Sequence, residues 1–262
     1  MISSLTKKPM DTPTDTFYDD LADHYHLIFE DWSQSIERQA ATIGPLLERY
    51  TNQVAPRVLD CACGIGTQTL GLSMRGHSLV ASDQSRASVA RAAREANLRG
   101  LKIQFHVADM RNLSSIPEEN FDAVLAADNA LPHLLLREDR DQALHEIAGK
   151  LRPGGILIAT IRDYDHLIQT RPSIQAPLMY GPRGQRRIVH QLWDWDGEEY
   201  DVHLYLSFER SAQWTVKHYV SRYRALLRND LSTSLHDAGF TAIQWLEPAD
   251  TNFYQPVLIA RK

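Results

Sequence analysis

The sequence predicts an α/β fold: a doubly wound, mostly parallel sheet with helices on both faces and an antiparallel β insertion after the fifth strand. Three observations carry the prediction. Short apolar runs at 58–60, 79–83, 103–108, 121–127 and 156–161 alternate with helical or turn segments, as strand, crossover and strand units do. The first run breaks into a glycine turn, Asp60-Cys61-Ala62-Cys63-Gly64-Ile65-Gly66-Thr67, and the second ends on a carboxylate, Asp83. Beyond Arg162 the rhythm changes to long β-like runs.

Residues 1–16, rich in Thr, Pro and Lys, read as a disordered tail. Residues 17–55 read as a helical lid, with Ile36, Ile43, Leu46 and Leu47 at helical spacing and Pro56 as its stop. The α/β body covers 56–162 and 227–262. Within it, 85–98 is a helix capped by Ser85 and stopped by Gly100. A second helix, 137–151, is closed by the turn Arg152-Pro153-Gly154-Gly155. Between these parts, 163–226 is the insertion: a polar segment to Pro182, then β-like runs at 186–195, 200–211 and 214–226. Asp196-Gly197 is a tight hairpin signal, because both residues tolerate positive φ. The insertion is not needed to close the parallel sheet and is expected to cover its ligand crevice. The chain ends with a helix over 229–238, closed by Gly239, and strands near 241–246 and 253–260.

Composition narrows the function classes. With 262 residues, 43% hydrophobic and 23% charged, the chain can bury a full core, as one embellished domain or two small ones. A net charge of -5 gives no basic field for nucleic acid, and no apolar run approaches the ~20 residues of a membrane span. No signal-peptide h-region precedes Asp15, so a cytoplasmic location is expected. The two cysteines, Cys61 and Cys63, stand one residue apart in the glycine turn, where neither zinc ligation nor an intrachain disulfide is plausible; they read as small packing residues.

The glycine turn is the place for a nucleotide-like ligand. Gly64 and Gly66 let backbone amides approach without Cβ obstruction, and the helix from Thr67 presents N–H groups to an anion. Asp83, at the end of the second strand, is placed for two ribose hydroxyls; its other reading is a turn or capping aspartate. Thr69 occupies the third-glycine position of a dinucleotide fingerprint, which argues against nicotinamide.

These residues resemble a known family. Val58-Leu59-Asp60-x-Ala62-x-Gly64-x-Gly66, the strand end at Asp83, Ala108-Asp109-Met110 and Arg152-Pro153-Gly154-Gly155 are similar to class I, Rossmann-like methyltransferases that use S-adenosylmethionine and release S-adenosylhomocysteine. Three more selective stretches resemble glycine N-methyltransferases and glycine/sarcosine N-methyltransferases. They are Phe121-Asp122-Ala123-Val124 leading to Asn129 and His133-Leu134, then Arg162-x-Tyr164-Asp165, and the entry segment from Tyr25 to Trp32 with Arg38.

The resemblance implies roles. The turn with Asp60, Ala62 and Gly64 faces the methionine end, and Arg38, taken alone an ordinary solvated helix residue, pairs with its carboxylate. Asp83 with Gln84 takes the ribose, Asp109 accepts from the adenine amino group, Met110 packs on its face, and Ala127 borders the same site. Tyr18, Tyr25 and Trp32, otherwise a packed helix stripe, close over the cofactor. For the acceptor, Arg162 lies at the carboxyl edge of the sheet, where its planar fork suits a carboxylate. Asn129 holds the same carboxylate or the cofactor, and Tyr180 is a further candidate. His133 reads as a structural residue, although its titration range suits proton removal. Asp163, Tyr164 and Asp165 order the loop carrying Arg162.

Methyl transfer to an amine needs collinear positioning and exclusion of water more than a strong base, although an ammonium must first lose a proton. The expectation is N-methylation of a small amino acid, glycine or sarcosine, in a betaine-type route. Two alternatives stand: another small metabolite as acceptor, or a non-catalytic cofactor-binding module. Ala130 and Leu131, and the lack of a longer N-terminal arm, depart from the animal glycine enzymes and leave monomer and homo-oligomer equally open.

Overall fold

A computed structural model describes residues 14–262 except Ala212. The tail expected over 1–16 falls outside the described residues as far as position 13, and 14–16 already belong to a helix.

The helical region read over 17–55 is divided into α1 (Thr14–Leu21), a 3₁₀ turn (Tyr25–Ile28) and α2 (Trp32–Thr51). Asp31 opens α2 by accepting from Gln34 N at 3.0 Å. The helix carries Pro45 inside it and ends at Asn52 in the left-handed region, four residues before the Pro56 expected to stop it.

The body follows as β1 (Arg57–Asp60), α3 (Thr67–Met74), β2 (Ser78–Asp83), α4 (Arg86–Leu98), β3 (Gln104–Val107), β4 (Phe121–Ala126), α5 (Arg137–Lys150) and β5 (Leu151–Thr160). The insertion contains α6 (Tyr164–Thr170), β6 (Ile174–Tyr180), β7 (Arg187–Asp196), β8 (Glu199–Arg210) and β9 (Gln213–Arg224). Last come α7 (Arg228–Asp237), β10 (Thr241–Leu246), α8 (Pro248–Thr251) and β11 (Val257–Arg261).

Seven strands form one sheet in the order β10-β11-β5-β4-β1-β2-β3, parallel except around β11. Alternate residues of the central strands feed two cores. Leu59, Val124 and Leu157 pack with Leu144 and Ile147 of α5, whereas Val58, Ala123 and Ile158 pack with Ile43 and Leu47 of α2. Burial on both faces explains why these strands read as continuous apolar runs. Chain order reverses between β1 and β4, which opens a crevice at their carboxyl ends.

The second sheet, β6-β7-β8-β9, is antiparallel. Its inner residues Val189, Leu204, Leu206 and Tyr219 cluster with Phe17 and Leu21 of α1. On its other side α1 is tied to α4, where Asp19 accepts from Ala87 N at 2.9 Å and from the Ser85 hydroxyl. Thus α1 bridges the insertion to the body.

Two expectations need correction. Arg152-Pro153-Gly154-Gly155 is not a closing turn but the entry of β5, and a register shift between β4 and β5 absorbs it. The segment 163–182, read as a polar connection, holds α6 and the edge strand β6. Six of the seven β6 residues are exposed, so no buried alternation marks it.

Candidate functional site

At the carboxyl ends of β1 to β4 lies a cavity of about 620 Å³, within the range of small-molecule sites. The turn after β1 forms its floor. Gly64 has φ +52° and lines the cavity, and no atom stands within 4 Å of where its Cβ would be, so a side chain there would project into open space. Gly66, at φ +94°, opens α3 without a side-chain cap and leaves the helix N-terminus to a ligand.

Several side chains brace this turn. Asp60 is buried; it accepts from Thr69 Oγ1 at 2.6 Å and from Ala62 N at 3.3 Å. Burial raises its pKa to about 7, against the pull of those two bonds. Trp32 is also buried and donates from Nε1 to Thr67 Oγ1 at 2.9 Å. Gln68, on the cavity wall, donates to Gln39 Oε1 at 2.7 Å, and Gln39 donates to Ser35 Oγ at 3.2 Å.

Asp83 accepts from Gly64 N at 2.8 Å and Ser85 N at 2.9 Å, so it performs the turn role weighed in the sequence while still lining the cavity. Burial raises its pKa. Its lone pairs outnumber these two bonds, which leaves acceptor capacity. Gln84, Ala62 and Ala127 line the same space, as do Asp109 and Met110 after β3. The Asp109 carboxylate is engaged by the Arg111 backbone N at 2.8 Å and by its guanidinium. Arg111 also pairs with Asp139 at 3.1 Å.

Tyr18 and Tyr25 stand on the border of this cavity and a smaller one of about 170 Å³. Here Arg162 is fixed on several sides. Its guanidinium lies 4.8 Å from the Trp193 ring centroid and 5.1 Å from that of Tyr223, and Nη1 donates to Tyr200 Oη at 2.7 Å. Asn129 Oδ1 accepts from Arg162 N at 3.1 Å and Tyr164 Oη at 3.0 Å, while the buried Nδ2 has no hydrogen-bond partner among the described residues. An amide N–H and the remaining guanidinium N–H groups therefore border one small space. His133 bonds Tyr18 Oη at 2.8 Å and packs on Tyr223. Burial, with Arg162 nearby, lowers its pKa to about 3, so it is neutral at ordinary pH.

The structure brings together Tyr18, Tyr25, Ala62, Gly64, Asp83, Gln84, Asp109, Met110 and Ala127 on one cavity, with Asn129 and Arg162 on its neighbour. Four residues named from the sequence lie elsewhere. Asp60 and Trp32 sit behind the turn. Arg38 is exposed and donates to Ser35 Oγ at 3.3 Å; it stands beside the buried α2 stripe of Ser35, Ile36, Gln39 and Ala40 and not within it. Tyr180, on edge strand β6, shares a separate polar cavity with Arg38 and lies under the Arg187 guanidinium at 5.1 Å.

Sequence reasoning missed Asp128, Trp193, Tyr200, Tyr223 and Tyr254. Tyr200 and Tyr223 are register partners on the inner face of β8 and β9, so strand alternation was the usable signal for them. Tyr254 reaches the site from the loop before β11, where no periodicity exists.

Residues 58–155 match a family model described as a methyltransferase domain. The glycine/sarcosine N-methyltransferase of Parasynechococcus marenigrum (strain WH8102) is 33% identical over 153 residues, 58% of this chain and 53% of that protein. The glycine N-methyltransferase of Mus musculus is 32% identical over 149 residues, 53% and 50% of the two chains. The chain thus spans about half the length of the curated relatives it matches. Among solved structures, Streptomyces venezuelae DesVI superposes with a TM-score of 0.77 at 17% identity, covering 91% of this chain and 97% of its own. The sugar N-methyltransferase KedS8 from Streptoalloteichus sp ATCC 53650 gives 0.74 at 17%, covering 100% and 98%.

Proposed function

We propose that this chain, which has the class I methyltransferase fold and matches a methyltransferase domain over 58–155, methylates the nitrogen of a small amino acid, glycine or sarcosine, using S-adenosylmethionine. The observation that carries the acceptor class is the half-buried guanidinium of Arg162, held between Trp193 and Tyr223 in a cavity of about 170 Å³. That space opens onto the larger cavity at Tyr18, Tyr25 and Asp128 and has room for a small amino acid.

The larger cavity fits the cofactor. Gly64 would give the methionine end backbone access, the open start of α3 faces an anion, and Asp83 keeps lone pairs for the ribose hydroxyls. Arg38 does not line this cavity. The polar groups at the methionine end are instead Thr67, Gln68 and the α3 amides. When bound, S-adenosylmethionine supplies a methyl group activated by the adjacent sulfonium.

The residues around the acceptor do the positioning. Arg162 and Asn129 Nδ2 fix a carboxylate, which aims the amine toward the cavity border at Tyr18 and Tyr25. Aromatic walls from α1, β8 and β9 exclude water. Arg162→Ala should raise KM for the amino acid about 100-fold, the loss of about 3 kcal/mol of charge-assisted bonding, with S-adenosylhomocysteine affinity unchanged in calorimetry. An amino-acid KM that stays at the wild-type value would remove the carboxylate clamp.

A further inference from the structure

The acceptor cavity holds one carboxylate, and carboxylate clamping does not use it. Among the described residues lining that cavity, Asp128 and Arg162 alone carry standing charges, and Asp128 lines the cofactor cavity as well. It therefore stands at the passage between the two, where an amine must meet the methyl group.

The backbone there is unusual. Asp128 has φ +58° and Asn129 φ +68°, two successive non-glycine residues in the left-handed region. Such residues cost about 1–3 kcal/mol each and persist where the surroundings over-determine them. Here Thr160 does so: its Oγ1 accepts from Asp128 N at 2.8 Å, its carbonyl accepts from Asn129 N at 3.0 Å, and Gln255 Oε1 holds the hydroxyl at 2.8 Å. The kink sets the carboxylate of one residue and the amide of the next beside the same small cavity.

We propose that Asp128 receives the ammonium of the acceptor and takes its proton, so that the cavity recognises a zwitterion, carboxylate on Arg162 and ammonium on Asp128. This rests on the amino-acid reading above. In the proton step an N–H bond of the ammonium breaks and an O–H bond forms on Asp128. The electron pair stays on nitrogen as the lone pair that methylation requires. Asp128 later returns the proton to solvent.

The groups facing Asp128 are compatible with this role. Tyr254 Oη donates to Oδ1, and Tyr25 Oη donates to Oδ2 at a long 3.4 Å. Arg162, Tyr18 and Tyr223 stand nearby, His133 is neutral, and Asp83 lies further along the larger cavity. Burial raises the Asp128 pKa, while Tyr254, Arg162 and Tyr25 pull it down, making it a stronger base than a surface carboxylate. A purely structural role, anchoring the Tyr25 and Tyr254 hydroxyls, is the competing account.

The test compares Asp128→Asn and Asp128→Gly with wild type, since both replacements accept positive φ and thermal unfolding checks that they fold. With glycine and sarcosine, kcat/KM at pH 7 should fall about 100-fold or more. Inhibition by acetate, which offers a carboxylate without an amine, should not weaken. Wild-type activity should fall as pH drops through the raised Asp128 pKa. That acid limb should vanish in Asp128→Asn, whose activity should instead climb about tenfold per pH unit as neutral amine accumulates. If Asp128→Asn keeps the wild-type pH profile, or acetate and amino acid weaken together, the assignment is overturned while the amino-acid reading stands. If the wild type methylates no amino acid, that reading fails and takes this one with it.

Discussion

Gly71 sits where α3 passes closest to α2. A Cβ built on it would lie 2.5 Å from the Ile36 carbonyl oxygen, 2.7 Å from Ala40 Cβ and 3.1 Å from Ile36 Cγ2. The carbonyl belongs to the α2 backbone and cannot rotate away, so Gly71→Ala must push the helices apart. Overpacking of this kind costs about 1–3 kcal/mol, and a backbone contact belongs at the upper end. Alanine regains about 1 kcal/mol of helix propensity, which leaves a net loss of about 2 kcal/mol. For a domain of this size that lowers Tm by about 4–8 °C, measurable by calorimetric or fluorescence melting. The shift should also reach the site, because Trp32 on α2 holds Thr67 on α3, so S-adenosylhomocysteine should bind more weakly. A variant as stable as wild type, or the gain expected of an unhindered Gly→Ala change, would refute the close-packing argument.

Two further outcomes are expected. Tyr200→Phe deletes the hydroxyl that accepts from Arg162 and pairs with Tyr164 at 2.8 Å; KM for the amino acid should rise about tenfold with cofactor affinity untouched, and a parallel loss of both would mean general disruption. Asp60, with its folded pKa raised by burial to about 7, contributes stability that is full below its unfolded pKa near 4 and lost as pH rises through about 7. Denaturant titrations of Asp60→Asn should therefore show a flatter pH dependence between those limits, and an unchanged slope would contradict the buried-carboxylate reading.

Much of the frame was legible because burial on both faces writes itself into β1, β4 and β5 as unbroken apolar runs, and because glycines mark the turn after β1. The cofactor side was equally accessible: Gly64, Asp83 and Met110 stand at strand ends, which the sequence locates. Arg38 and Tyr180 were placed by resemblance, and helix phase in one case and an exposed edge strand in the other put them on a separate polar cavity, off the two described above. The acceptor wall was least legible. Alternation puts Tyr200 and Tyr223 on the inner face of two hairpin strands, but these meet the kinked peptide at Asp128 only through the docking of the insertion, long-range geometry that local patterns do not encode.

The central claim is that Arg162 and its small cavity select an amino-acid acceptor. The measurement that tests it most directly is release of S-adenosylhomocysteine by the wild-type protein with a panel of glycine, sarcosine, dimethylglycine, amines lacking a carboxylate and nucleotide-linked amino sugars. The account predicts turnover of glycine or sarcosine, with the carboxylate-free amines inert. Turnover confined to amino sugars or simple amines would contradict it.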